Sequence, residues 1–135
     1  MTIGVDLVDC ARIGRMINED VSFLDLAFTP TEQENCNADP VRLGTRWAAK
    51  EAAMKALGRG IGAIALLDIE VQMDSEGAPS LQLSGSAMNR AQELGITDWS
   101  VALSHEGDLA VAFVIMMKEG RNVGERAGSG CFSHP

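Results

Sequence analysis

The sequence predicts an α+β fold: a two-layer domain in which a mostly antiparallel sheet packs against a long central helix. Three observations carry that expectation. The apolar patterning runs β, several α, β-β, α, β-β, which is neither the alternation of a Rossmann unit nor the pattern of a barrel. The segment 40–57 is alanine-rich, opened by Asp39-Pro40 and closed by Gly58, and gives the clearest helix signal in the chain. The chain has 135 residues, 46% hydrophobic and 22% charged, which suits one globular domain able to bury a core without staples.

The elements run in this order. Thr2–Val8 reads as a strand, with Ile3, Val5 and Leu7 on one face and Gly4, Asp6 and Val8 on the other. A carboxylate inside an apolar strand is costly unless it is paired or ligated. Asp9 to about Asn18 reads as a short helix, apolar at Ile13, Met16 and Ile17, with Arg12 and Arg15 sharing its polar side. Val21–Phe28 is expected to turn Phe23, Leu24, Leu26 and Phe28 inward. Thr29-Pro30-Thr31-Glu32 joins a cap, a proline at the first helical position and a capping-box glutamate, and opens a helix ending near Asn37. The central helix comes next, then a flexible turn, Gly58-Arg59-Gly60-Ile61-Gly62. Leu67–Met73 alternates as a strand, 74–77 turns, and Pro79–Leu83 returns. Ser84 or Ser86 caps a helix through about Leu94, ended by Gly95. Trp99–Ser104 and Leu109–Met117 are the last strands, joined by His105-Glu106-Gly107-Asp108. The domain is therefore expected to span 1–117, and the glycine-rich stretch 118–135 to be a disordered tail.

Composition excludes several classes. The formal charge of -8 argues against nonspecific nucleic-acid binding. Residues 1–67 carry a net charge of -2 and residues 68–117 one of -7, so an anionic ligand or partner should meet the first half. No apolar run approaches the ~18 residues of a membrane span. The N-terminal stretch lacks the basic region of a signal peptide. Cys10, Cys36 and Cys131 cannot all pair, which argues against a disulfide framework and fits a reducing cytosol.

The central helix carries the chemistry. Trp47, Glu51 and Lys55 are spaced by four and share a face, with Arg46 and Lys50 in an adjacent row. Periodicity alone also fits an exposed helix with one Glu–Lys pair. Should that helix pack over the first strand, Asp6 and Glu51 would meet, and two carboxylates with phosphate oxygens suit Mg²⁺. Lys55 would then reach a phosphate, and Gly58, Gly60 and Gly62 would let a ligand approach the backbone. His105 lacks partners for zinc, and Ser104 lacks a G-x-S-x-G context. The glycine turn is not a P-loop.

These residues resemble the holo-[acyl-carrier-protein] synthase family, the small type of 4'-phosphopantetheinyl transferase. The matching pieces are Gly4-Val5-Asp6-Leu7-Val8, Phe28-Thr29-Pro30-Thr31-Glu32, Trp47-Ala48-Ala49-Lys50-Glu51-Ala52-Ala53-Met54-Lys55-Ala56-Leu57-Gly58, and Ser104-His105, spanning about 2–117. The resemblance implies the 4'-phosphopantetheinyl transferase fold and transfer of phosphopantetheine from coenzyme A to a serine of apo acyl carrier protein, releasing adenosine 3',5'-bisphosphate. It implies Asp6 and Glu51 as Mg²⁺ ligands, Lys55 on a coenzyme A phosphate, and Ser104 and His105 on the nucleotide side. Glu32 is implied as a supporting group at the helix cap, the metal's waters, or both. Arg12, Arg15 and Arg46 are implied as the surface for the carrier's acidic helix. Glu51 or a metal-held water is the candidate proton acceptor. The family further implies a homotrimer with sites at subunit boundaries. Two rival readings use the same residues: another magnesium-dependent phosphoryl-transfer enzyme, or a non-catalytic carrier-binding domain.

Overall fold

The structure is a computed structural model that describes residues 1–119. Strand β1 (Thr2–Asp9) leads into helices α1 (Cys10–Glu19), α2 (Ser22–Ala27), α3 (Pro30–Cys36) and α4 (Pro40–Leu57). A 3₁₀ turn (Leu66–Asp68) precedes the hairpin β2 (Ile69–Met73) and β3 (Pro79–Leu83). Helix α5 (Gly85–Leu94) leads to the closing hairpin β4 (Ile96–Glu106) and β5 (Leu109–Lys118). The strands form two sheets: three antiparallel strands in the order β1-β5-β4, and the β2-β3 pair. The predicted two-layer α+β architecture is the one observed. The expected tail falls, from residue 120 on, outside the described residues.

Capping chemistry sets the helix boundaries. Asp9 accepts from the Ala11 N–H at 3.0 Å, and Asp39 accepts from the Val41 N–H at 3.0 Å. Thr29 and Glu32 close a reciprocal capping box at the start of α3. Several details depart from the sequence reading, the start of β4 at Ile96 among them. The 3₁₀ turn takes Leu67 and Asp68, so β2 starts later. β4 runs two residues past Ser104 and absorbs His105 and Glu106, leaving Gly107-Asp108 as the turn, with Gly107 at φ 57°. Ser86 does not cap α5; its hydroxyl donates to Asp68 at 2.7 Å. Leu26 is 66% exposed, not inward. Helical spacing in α2 turns Phe23, Leu24 and Ala27 to the core and puts Leu26 on the outer side.

Helix α4 runs across the inner face of the larger sheet, and 13 of its 18 residues are buried. It is wrapped rather than amphipathic, which the alanine-rich sequence permits. The approach to β1 is close because of Gly4. A Cβ at Gly4 would lie 1.8 Å from the Ala52 carbonyl oxygen and 2.9 Å from the Ala56 nitrogen. Both are main-chain atoms that no rotamer change can move. The opposite sheet face is open: Ile3 is 50%, Val5 46%, Leu7 66%, Leu109 53% and Phe113 44% exposed. Gly4→Ala is expected to destabilise the fold by about 3 kcal/mol, the upper range for overpacking. Chemical denaturation measures this, and Ala52→Gly in the same chain should give no rescue.

Candidate active site

Gly4, Asp6 and Val8 face α4 by the two-residue period of β1. The Asp6 side chain is 16% exposed, and its Oδ1 lies 3.2 Å from the Lys55 Nζ. Lys55 also donates to the Val5 carbonyl at 3.0 Å. Glu51 stands one helical turn before Lys55 and is half-buried. Burial, and then repulsion from Asp6, hold its carboxyl above the ordinary range; Lys55 and Arg12 pull the other way. The strand carboxylate and the helix carboxylate therefore feel each other's charge. Glu51 and Lys55 line a crevice of about 330 Å³ with Met54, Gly58, Arg59 and Gly60. Gly62 is not part of it and lines a separate hollow beside Leu26 and Ile61.

Lys50, the residue before Glu51, belongs to a buried ion pair that sequence reasoning missed. Lys50 and Glu32 have fully buried side chains, with Nζ 2.8 Å from Oε1. The Lys50 ammonium also donates to the Leu66 carbonyl at 2.9 Å and to the Ile69 carbonyl. Glu32 accepts from the Thr29 N–H at 2.9 Å and from the Val71 N–H at 2.8 Å. Burial pushes Lys50 below its ordinary pKa, and Glu32 opposes that shift. Glu32 is thus a cap and a bridge to β2, with its oxygens committed to these partners. The signal was present: Lys50 shares a face with Trp47, Met54 and Leu57, all buried.

The predicted arginine group divides. Arg12 and Arg15 are exposed on α1. Arg46 is only 8% exposed, because α4 is covered on that side too. Its guanidinium donates to the Thr45 hydroxyl at 3.0 Å, while Nε is buried with no hydrogen-bond partner. It lines a second crevice, of about 480 Å³, with Arg42, Thr45, Ser104 and His105. This placement removes Arg46 from the α1 surface. Ser104 and His105 also border a third hollow, next to Leu7 and Val111. Neither hollow includes Asp6, Glu51 or Lys55, so Ser104 and His105 stand apart from the carboxylate and lysine group.

A model of the 4'-phosphopantetheinyl transferase superfamily matches residues 2–114, and the chain belongs to that superfamily. Its relatives include the holo-[acyl-carrier-protein] synthase of Herpetosiphon aurantiacus, 46% identical over 125 residues that cover 87% of this chain and 98% of that protein. The synthase of Syntrophus aciditrophicus is 44% identical, covering 84% and 92%. Among solved structures, Helicobacter pylori holo-[acyl-carrier-protein] synthase in complex with coenzyme A aligns with a TM-score of 0.77 and 31% identity, covering 85% of this chain and 99% of that one.

Glu51 provides a test of the site's electrostatics. A carboxyl with a raised folded pKa favours its neutral form in the folded state. Its contribution to stability is therefore present below the unfolded value of about 4.3 and is lost as pH rises through the raised folded value. In metal-free buffer, Glu51→Gln is expected to melt above the parent at pH 8, with the difference shrinking at pH 4. Thermal melts at the two pH values check this, and a pH-independent difference would rule out the coupling.

Proposed function

We propose that this chain is a holo-[acyl-carrier-protein] synthase, transferring 4'-phosphopantetheine from coenzyme A to a serine of apo acyl carrier protein. The observation that carries the reading is the Asp6–Lys55 ion pair where α4 crosses β1, with Glu51 one helical turn before Lys55 and its carboxyl raised by burial and then by the charge of Asp6. Two hard oxygen donors with an adjacent cation suit a diphosphate and a magnesium ion. No group of three or more His, Cys, Asp or Glu that could hold a metal occurs among the described residues. Mg²⁺ binds through one or two carboxylates and completes its shell with phosphate oxygens and water. Asp6 and Glu51 would hold the ion, which supplies positive charge to the phosphate oxygens.

The chain's own groups do the rest. The serine oxygen forms a bond to the phosphorus carrying pantetheine, and the bond from that phosphorus to the bridging oxygen breaks. The bridging oxygen leaves with adenosine 3',5'-bisphosphate. Lys55 offsets charge on the phosphate oxygens. The serine proton passes to Glu51 or to a water held by the metal. Arg12, whose charge reaches Glu51, and Arg15, both exposed on α1, face the carrier's acidic helix. Arg46, Ser104 and His105 meet a nucleotide phosphate. The two buried free thiols, Cys10 and Cys36, suit a reducing cytosol.

The test is a mass measurement. Incubation with coenzyme A, Mg²⁺ and an apo carrier should add about 340 Da to the carrier, the mass of one phosphopantetheine group. Chelation of the metal should stop the reaction. Asp6→Ala and Glu51→Ala should each lower turnover about a hundredfold or more while the far-ultraviolet spectrum stays native. An unmodified carrier, or full turnover in either variant, would overturn the proposal.

We further propose that three copies associate through the open face of the larger sheet. Val5 pairs with Phe113 in register and Leu7 with Val111, so the exposed apolar side chains form one continuous patch. Its burial would let the Ser104–His105 crevice of one copy complete the Glu51–Lys55 crevice of another. Phe113→Asp is expected to yield folded monomers with little transfer activity, as read by light scattering and the mass assay. An active monomer would refute the shared site.

A further inference from the structure

The crevice of Glu51 and Lys55 contains a cation that the mechanism above leaves unused, Arg59. It comes directly after Gly58, which ends α4 in the left-handed conformation at φ 71°. The Arg59 N–H donates to the Met54 carbonyl at 3.2 Å, and the Gly58 N–H to the Lys55 carbonyl at 3.2 Å. These paired bonds make a Schellman motif, which fastens the Arg59 backbone to the helix end. Glu51, Lys55 and Arg59 therefore succeed one another at steps of four, on one continuous hydrogen-bonded support.

The side chains differ in what they already hold. Lys55 is engaged by Asp6 and the Val5 carbonyl. Arg90, near the same helix end, donates to the Leu57 carbonyl at 2.9 Å and to Glu93 at 3.1 Å. Arg59 is exposed, and its guanidinium makes no hydrogen bond or ion pair among the described residues. Its flanks, Gly58 and Gly60, carry no side chains, and space around Gly60 is open to 4 Å. An anion can thus approach the backbone on either side of the guanidinium. A planar fork of donors matches phosphate oxygens in pairs, where a lysine offers a point charge.

We propose that Arg59 binds the diphosphate of coenzyme A, as a second cation beside Lys55. This rests on the transferase reading and adds a substrate-binding residue to it. The position favours the diphosphate over the carrier, because Arg59 lines the crevice of the candidate catalytic groups, whereas the carrier-facing arginines stand on α1.

The experiment is initial-rate kinetics with Arg59→Ala, Arg59→Gln and Arg59→Lys, titrating coenzyme A and apo carrier separately. KM for coenzyme A should rise about tenfold in the alanine and glutamine variants, as expected for one lost charge-assisted hydrogen bond. The lysine variant should recover part of it, and KM for the carrier should stay unchanged. With 3'-dephospho-coenzyme A the same fold-loss should persist, since the diphosphate remains. Calorimetric titration of coenzyme A into carrier-free protein with Mg²⁺ should show the loss without turnover. An unchanged affinity for coenzyme A, a rise confined to the carrier's KM, or a penalty that disappears with the dephospho substrate would each overturn the assignment. If the parent binds coenzyme A but transfers nothing, the transferase reading fails while the calorimetric comparison still decides on Arg59.

Discussion

Everything at the site depends on how near α4 can come to β1, and Gly4 sets that distance. The Ala52 carbonyl occupies the space where a side chain at position 4 would be. Asp6 lies two residues further along the same face, so the contact that admits the helix also presents the carboxylate to it. One helical turn separates Glu51 from Lys55, and only a closely packed helix brings both to Asp6. The alanines at 48, 49, 52, 53 and 56 belong to the same requirement, since each is buried and larger side chains would push the helix away.

The buried pair of Glu32 and Lys50 anchors the chain beyond the end of α4. Lys50 grips the carbonyls of Leu66 and Ile69, at the far end of the segment that begins with Gly58-Arg59-Gly60. Glu32 grips Val71 and the start of α3. Two helices, the 3₁₀ turn and β2 thus meet at one charge pair. Such a pair is weak evidence for net stability, because desolvation offsets most of its attraction, yet losing one partner strands the other at a cost of about 3–5 kcal/mol. Its role here is to specify geometry: four elements must be correctly placed before both charges are satisfied.

Local chemistry was legible in the sequence, and tertiary burial was not. The caps at Asp39, Thr29 and Gly58 placed α3 and α4, because capping is a property of neighbouring residues. The carboxylate of Asp6 stood out because an unpaired charge in an apolar strand needs an explanation, and the Lys55 ion pair supplies it. The burial of Lys50 and Arg46 was not legible, for one shared reason. Helical periodicity gives a residue's direction but not what covers that direction, and α4 is covered on nearly every side. The extension of β4 through His105 comes from the tightness of the turn: Gly107-Asp108 alone closes the hairpin, so His105 and Glu106 pair with Ala110 and Leu109.

Strand β1 couples the site to the open apolar face through its register alone. Its even positions, Gly4, Asp6 and Val8, serve the helix and the carboxylate, while its odd positions, Ile3, Val5 and Leu7, form part of an open apolar face. A slip of one residue would exchange the two sets, exposing the helix contact and burying the apolar row against α4. The ladder to β5 guards against this, pairing Asp6 with the buried Ala112 on the inner face and Val5 with the exposed Phe113 on the outer. An apolar row left in water is a liability on a solitary chain, and on this one it lies directly behind the acidic group on the same strand. Selection for the outer face and for the inner carboxylate therefore acts on a single backbone register, so a change that loosens one loosens the other.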